Sequence, residues 1–163
     1  DQSDAKKAIY HCCKLAKANK LRIALSLSDS FCVDRHGEVL WDLINKYVDI
    51  IFANETEIQS LYQSNLKESL KKIIEVTEIG AITLGPKGSI VFQNQVKNLV
   101  PAITVNDLVD TTGAGDIFAS GFLFGLINKY SIEDCGKLGS KAAADIIKYI
   151  GARPKTSLKT FLN

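Results

Sequence analysis

Val48-Asp49-Ile50-Ile51-Phe52-Ala53-Asn54-Glu55-Thr56-Glu57 is the stretch on which the fold turns. From Val48 to Ala53 the residues are apolar almost without alternation, as a strand covered on both faces requires. The run breaks at Asn54, and a helical segment, Glu55 to Gln63, starts at once. Upstream, Arg35 to Tyr47 sets Val39, Leu40, Leu43, Ile44 and Tyr47 on one side, the stripe of an amphipathic helix. Before it, Leu21 to Leu27 reads as a strand. Asp4 to Lys20 reads as a further amphipathic helix, with Ala5, Ala8, Ile9, Cys12, Leu15 and Ala16 on its stripe and Asn19 as terminator. Downstream come a helix over Leu66 to Glu78, a short apolar strand over Ala81 to Leu84 and a turn at Gly85-Pro86-Lys87-Gly88. Ser89 to Gln93 and Gln95 to Val100 then pair as a hairpin about Asn94. Helices alternating with buried strands argue an α/β domain with a parallel sheet flanked by helices. No repeat, low-complexity tract or linker interrupts it, so the chain reads as one domain.

The remaining third is helical. Gly113 to Asn128 is apolar all round (Ile117, Phe118, Phe122, Leu123, Phe124, Leu126, Ile127), which predicts a buried helix. Ser131 to Ile150 opens with Ser131 and Asp134 at capping-box spacing and runs through Ala142-Ala143-Ala144 to a predicted C-cap at Gly151. A last short helix is expected from Thr156 or Ser157. The 163 residues, 46% hydrophobic and 23% charged, suit a soluble globular protein. The net charge of +2 is scattered: Lys6-Lys7, Lys14-Lys17-Lys20 and Lys71-Lys72 have the spacing of solvated helix faces, so nucleic acid is not an expected partner. No apolar run approaches the ~18 residues of a bilayer span, so no membrane partner is expected either. Cys12, Cys13, Cys32 and Cys135 lack CxxC spacing and read as plain thiols of a reducing cytoplasm. His11 and His36 read as surface residues and Trp41 as partly exposed.

Chemistry concentrates in Val109-Asp110-Thr111-Thr112-Gly113-Ala114-Gly115-Asp116, which leads straight into the apolar helix. Small residues at 113 to 115 leave backbone N–H groups uncovered at a helix N-terminus, where unpaired donors and the macrodipole both favour an anion. An acid at the end of such a run would repel a permanently held phosphate. It makes sense beside a transient one, a γ-phosphoryl group passing the loop toward a hydroxyl whose proton Asp116 accepts. The plainer reading is a turn followed by a first-turn carboxylate; the full string on an apolar helix favours transfer. Gly80 and Gly85 have P-loop separation, but Pro86 stands where the lysine belongs, and no GxGxxG follows a strand.

This string, with the apolar helix after it, resembles the second signature of the PfkB, or ribokinase-like, family of carbohydrate and nucleoside kinases. Three further strings fall in the family's order: Asn54-Glu55-Thr56-Glu57 resembles its N-x-x-E motif, Thr83 to Gly88 its T-x-G-x-x-G nucleotide loop, and Gly151-Ala152-Arg153-Pro154 its G-A-x-P turn. The look is closest to bacterial adenosine-kinase-like sugar kinases. The resemblance implies the C-terminal portion of a three-layer α/β/α fold with a mostly parallel sheet. It also implies ATP-dependent phosphoryl transfer to a hydroxymethyl group of a sugar or nucleoside. Asp116 would be the base, and the amides of Gly113, Ala114 and Gly115 the anion hole. Asn54 and Glu57 would organise Mg²⁺ through water, a role compatible with Asn54 capping a helix and Glu57 lying in its first turn. Thr83, Gly85, Lys87 and Gly88 would line the nucleotide, with adenine near Ser140. Asp110 and the Thr112 carbonyl are the positions of a monovalent cation such as K⁺, a site that the ammonium of Lys155 puts in question.

Family members are about twice as long, and their N-terminal part supplies the acceptor pocket and a lid that often dimerises. Residues 1–163, with no methionine and an opening helix that lacks a preceding strand, are therefore expected to be the C-terminal portion, a homodimer being an expectation for the longer protein alone. On that expectation the chain by itself binds nucleotide without transferring phosphate. A Rossmann-like interaction domain with incidental glycines is the remaining alternative.

Overall fold

The computed structural model describes residues 3–155 and 157–162. The chain forms two compact units, Asp1–Gly80 and Ala81–Asn163. In the first, α1 (Ser3–Ala18), β1 (Ala24–Ser26), α2 (Ser30–Lys46), β2 (Ile50–Asn54), α3 (Glu55–Tyr62) and α4 (Leu66–Val76) alternate as expected, and β3 (Ile79–Thr83) crosses the boundary. β1 and β2 pair in parallel with Ala24 opposite Ile50 and Ser26 opposite Phe52. Ile50 to Ala53 are all buried, as their uninterrupted apolar character demands. Leu27, Val33, Ile44, Ile58, Ile73 and Ile79, each less than 2% exposed, complete that core.

Two boundaries differ from the sequence reading. β1 is confined to Ala24–Ser26 instead of Leu21 to Leu27. α2 begins at Ser30, ahead of the predicted Arg35, because the Asp29 side chain accepts the N–H of Cys32 as an N-cap. His36 leaves the helical region (φ −127°, ψ 17°), so the helix kinks there, though Val33 ahead of the kink is buried like Leu40, Leu43 and Ile44 after it.

The second unit holds a 3-10 turn at Gly85–Lys87, β4 (Ser89–Gln93), β5 (Val96–Val100), α5 (Ala114–Ile127), α6 (Ile132–Ile146) and a 3-10 turn at Leu158–Leu162. Thr156, one predicted start of the last helix, lies outside the described residues. β4 and β5 are antiparallel, with Ser89 opposite Val100 and Gln93 opposite Val96. Asn94 and Gln95 connect them with φ of 49° and 69°, the left-handed pair that a tight hairpin uses. The strand order is β1-β2-β3-β4-β5, so the sheet is mixed, parallel at one edge pair and antiparallel at the other.

α6 lies on the hairpin through Gly136, where a Cβ would sit 2.8 Å from Val91 Cγ1 and 2.9 Å from Val100 Cγ2. It meets α5 along a glycine seam: a Cβ on Gly121 would stand 2.8 Å from the Leu138 oxygen, and one on Gly139 2.8 Å from the Phe118 oxygen. α5 is not buried all round, as its composition predicts. Phe118 and Phe122 are inside, whereas Phe124 and Ile127 are 41% and 75% exposed. α6 ends at Ile146, short of the predicted Ile150, with Ile147 as C-cap; Gly151 (φ +95°) serves the following turn instead.

Candidate active site

In the second unit the loop from Val109 to Gly113 is fastened before it reaches α5. The N–H groups of Val109 and Asp110 both donate to the Ile147 carbonyl, at 2.8 and 3.2 Å, beyond the end of α6. The Asp110 carboxylate accepts three further bonds. Its Oδ1 accepts from Thr112 N at 2.9 Å and Thr112 Oγ1 at 2.7 Å, and its Oδ2 accepts from Gly151 N at 2.9 Å. Those bonds, that from Gly151 foremost, hold the carboxyl below the usual aspartate range. Gly113 follows with φ +77°, and its missing side chain leaves room for Ala152: a Cβ there would lie 2.6 Å from Ala152 Cβ and 2.9 Å from Ala152 Cα. Gly113 and the Gly151-Ala152 turn thus fit against each other.

Gly113 is the N-cap of α5 with no side chain to cap it. The Ala114 N–H donates to the Thr111 carbonyl at 3.1 Å, so this expected anion-hole donor is already engaged inside a turn. Among the described residues, no hydrogen bond engages the N–H groups of Gly113, Gly115 or Asp116. The donors left for an anion are therefore these three, Asp116 replacing Ala114 in the expected set. Around Gly115 nothing lies within 4 Å of a would-be Cβ, so the fold itself does not ask for glycine there. Asp116 is exposed in the first turn of α5, and among the described residues its carboxylate has no hydrogen-bond or ion-pair partner.

Gly85 (φ +59°) and Gly88 (φ +99°) are glycine for different reasons. Gly85 stands in open space, whereas a Cβ on Gly88 would fall 2.0 Å from the Val100 oxygen. Leu84 N donates to the Gly88 oxygen at 2.7 Å and closes the loop, leaving Lys87 exposed and Thr83 half-buried at the end of β3. Ser140 is 8% exposed and sits within α6, ahead of its alanine run. Lys155 does not pair with Asp110; its ammonium lies over the Tyr149 ring, 4.9 Å from the centroid.

In the first unit, Asn54 and Glu57 form a full capping box at the end of β2. Asn54 Oδ1 accepts from Glu57 N at 2.8 Å, and Glu57 Oε2 accepts from Asn54 N at 2.9 Å. Asn54 Nδ2 also donates to Glu57 Oε1 at 2.6 Å. Glu57 is 6% exposed, and burial raises its pKa, opposed by the Asn54 N–H and reinforced by the charge of Asp29. Asp29 is a site neighbour that the sequence reading missed. Its signal was present: an aspartate directly before a helix start. A buried carboxyl that is hard to ionise beside a second acid fits a nearby cation, which would relieve both. Among the described residues, no three His, Cys, Asp or Glu side chains gather into a direct metal cage. Asp110 fits a cation less well, because three of about four carboxylate acceptor positions are taken.

A shallow cavity of about 650 Å³ along α1, lined by Lys6, Lys7, Tyr10, His11 and Lys14, contains none of these residues. Among the described residues, no helix is long and apolar enough to cross a membrane.

Residues 2–159 match the pfkB family carbohydrate kinases: the chain belongs to that family. A probable sugar kinase from Rhizobium etli has a similar structure, with a TM-score of 0.92 and 45% identity over 96% of this chain and 48% of that one. An adenosine kinase from Sinorhizobium meliloti likewise superposes with a TM-score of 0.92, at 40% identity over 97% of this chain and 49% of that one. An uncharacterized sugar kinase of Archaeoglobus fulgidus is 37% identical over 111 residues, 68% of this chain and 44% of its own. The chain spans less than half the length of the curated relatives it matches, 44%, 40% and 46% for three of them.

Proposed function

We propose that this chain carries the nucleotide-binding and proton-accepting part of an ATP-dependent kinase whose acceptor is a hydroxymethyl group of a sugar or nucleoside. The observation that supports this most is the pairing of an unpartnered, exposed Asp116 carboxylate with unspent N–H groups at Gly113, Gly115 and Asp116. In this reading Asp116 takes the proton of the attacking hydroxyl, a contribution of roughly 10²–10⁴-fold. The N–H groups meet the negative charge of the phosphoryl group in flight, aided by the positive end of α5. Thr83, Gly85, Lys87 and Gly88 hold the nucleotide, with its adenine toward Ser140. Magnesium would neutralise phosphate charge, and Asn54 and Glu57 would orient its waters. At Asp110 and the Thr112 carbonyl a monovalent cation finds one carboxylate acceptor position left. Such chemistry belongs in the cytoplasm, where ATP is available.

The deciding experiment is Asp116→Asn in the protein, with ATP affinity measured by calorimetry and ADP release followed against a panel of sugars and nucleosides. Retained ATP binding with transfer reduced at least about 100-fold is expected. Near-normal transfer would refute the assignment of Asp116. ATP binding with no acceptor-dependent release in the unmutated chain would identify a nucleotide-binding module without its acceptor pocket.

A further inference from the structure

We infer that Asp110 is a positioning residue: its carboxylate latches the 109–113 loop to the Gly151 turn and thereby aims the Gly113 and Gly115 N–H groups, without help from a monovalent cation. The inference rests on the phosphoryl-transfer reading for its consequence, but on hydrogen bonds alone for its mechanism. Asp110 bonds forward to both donors of Thr112 and across to Gly151, at 2.7 to 2.9 Å. Its own N–H and that of Val109 are tied to the Ile147 carbonyl. The loop is thus clamped on both sides of residue 110, to the end of α6 by backbone and to the turn after it by side chain. Gly113, three residues on, already lies against Ala152, the neighbour of the latched Gly151.

A cation in this position would hold loops together through oxygen ligands. Here charge-assisted N–H and O–H donors accomplish the same closure. They occupy three of about four acceptor positions of the carboxylate, and one position is a poor start for a potassium shell. Lys155 supplies no substitute charge, since its ammonium is spent on Tyr149. Asp110 makes no contact with reacting atoms in this scheme; it acts through Gly113 and Gly115.

Hydrogen exchange followed by mass spectrometry over residues 109–116 and 147–153 tests the latch directly, in potassium and in choline buffers. The wild-type protein should exchange equally in both. Asp110→Ala should exchange at least tenfold faster in both segments, about what losing one or more hydrogen bonds allows. Its kcat should fall at least tenfold with KM for ATP within about threefold, a split that mere loss of fold does not give. If Asp110→Ala does not fold, Thr112→Val removes the hydroxyl donor alone and must show a smaller rise, about threefold, in the same segments. Potassium slowing wild-type exchange as much as the latch does, or unchanged exchange in these variants, overturns the inference. Faster exchange in a protein that carries the acceptor pocket yet never transfers phosphate leaves the latch standing and removes the kinase reading instead.

Discussion

Replacing Gly113 with alanine tests whether the 109–113 loop and the Gly151-Ala152 turn were shaped to each other. The residue has φ +77°, where an L side chain costs about 1–2 kcal/mol. The new methyl would also stand 2.6 Å from Ala152 Cβ and 2.9 Å from Ala152 Cα, distances that oblige one backbone to move. Overpacking of this kind costs about 1–3 kcal/mol. The sum, about 2–5 kcal/mol, should lower Tm by about 4–20 °C in a chain of this size. A double-mutant cycle separates the two parts. Ala152→Gly removes the opposing methyl, yet the main chain of residue 152 still crowds the new side chain and the backbone penalty at 113 persists. Gly113→Ala combined with Ala152→Gly should therefore recover part of the loss and not all of it. Thermal melts of the four proteins decide the matter. A Gly113→Ala protein that melts within about 2 °C of wild type, a loss of no more than about 1 kcal/mol, would refute the reasoning. So would an Ala152→Gly change that gives no rescue.

The glycine seam gives a second expectation. Gly121→Ala places a methyl 2.8 Å from the Leu138 oxygen, so it should destabilise by about 1–3 kcal/mol even though alanine is the better helix former. Gly37→Ala, with nothing within 4 Å, should instead stabilise by up to about 1 kcal/mol; chemical denaturation of the two proteins reads both signs. A third concerns pH. Glu57 has its pKa raised in the folded state, so folding favours its protonated form. Its contribution is present below the ordinary value of 4.5 and is lost as pH rises through the raised one. Stability of the metal-free wild type relative to Glu57→Gln should therefore fall across that window, and Mg²⁺ should shrink the difference at neutral pH. Melting curves of both proteins against pH, with and without Mg²⁺, check this.

The alternation of elements was legible because β2 is apolar throughout and the helices keep their period, as at Leu40, Leu43 and Ile44. Boundaries were lost where a local bond overrode the pattern. Asp29 starts α2 early, and the mostly polar stretch from Asp34 to Glu38 offers few apolar residues to a periodicity reading. The exposed face of α5 was illegible for another reason. Phe124 and Ile127 carry no mark that tells a covered apolar residue from an uncovered one. Of the candidate site, the positions of glycine and acid could be read directly. Which amides were spent could not, since the bond from Ala114 to Thr111 and the three bonds to Asp110 depend on loop dihedrals that composition does not state. Asn54 and Glu57 were legible as a helix start, and the capping box shows what that spacing does at the end of β2.

The seam between α5 and α6 restricts how the molecule can respond to a bound nucleotide. With Gly121 backed by the Leu138 oxygen and Gly125 by Cys135, translation of α5 along its axis would drive one backbone into the other. The pair can travel together, or not at all. Any induced adjustment at Asp116 must therefore come from rotation about its own side-chain bonds or from flexing of residues 109–113. A nucleotide analogue should leave the helix axes in register while those few loop dihedrals absorb the whole change.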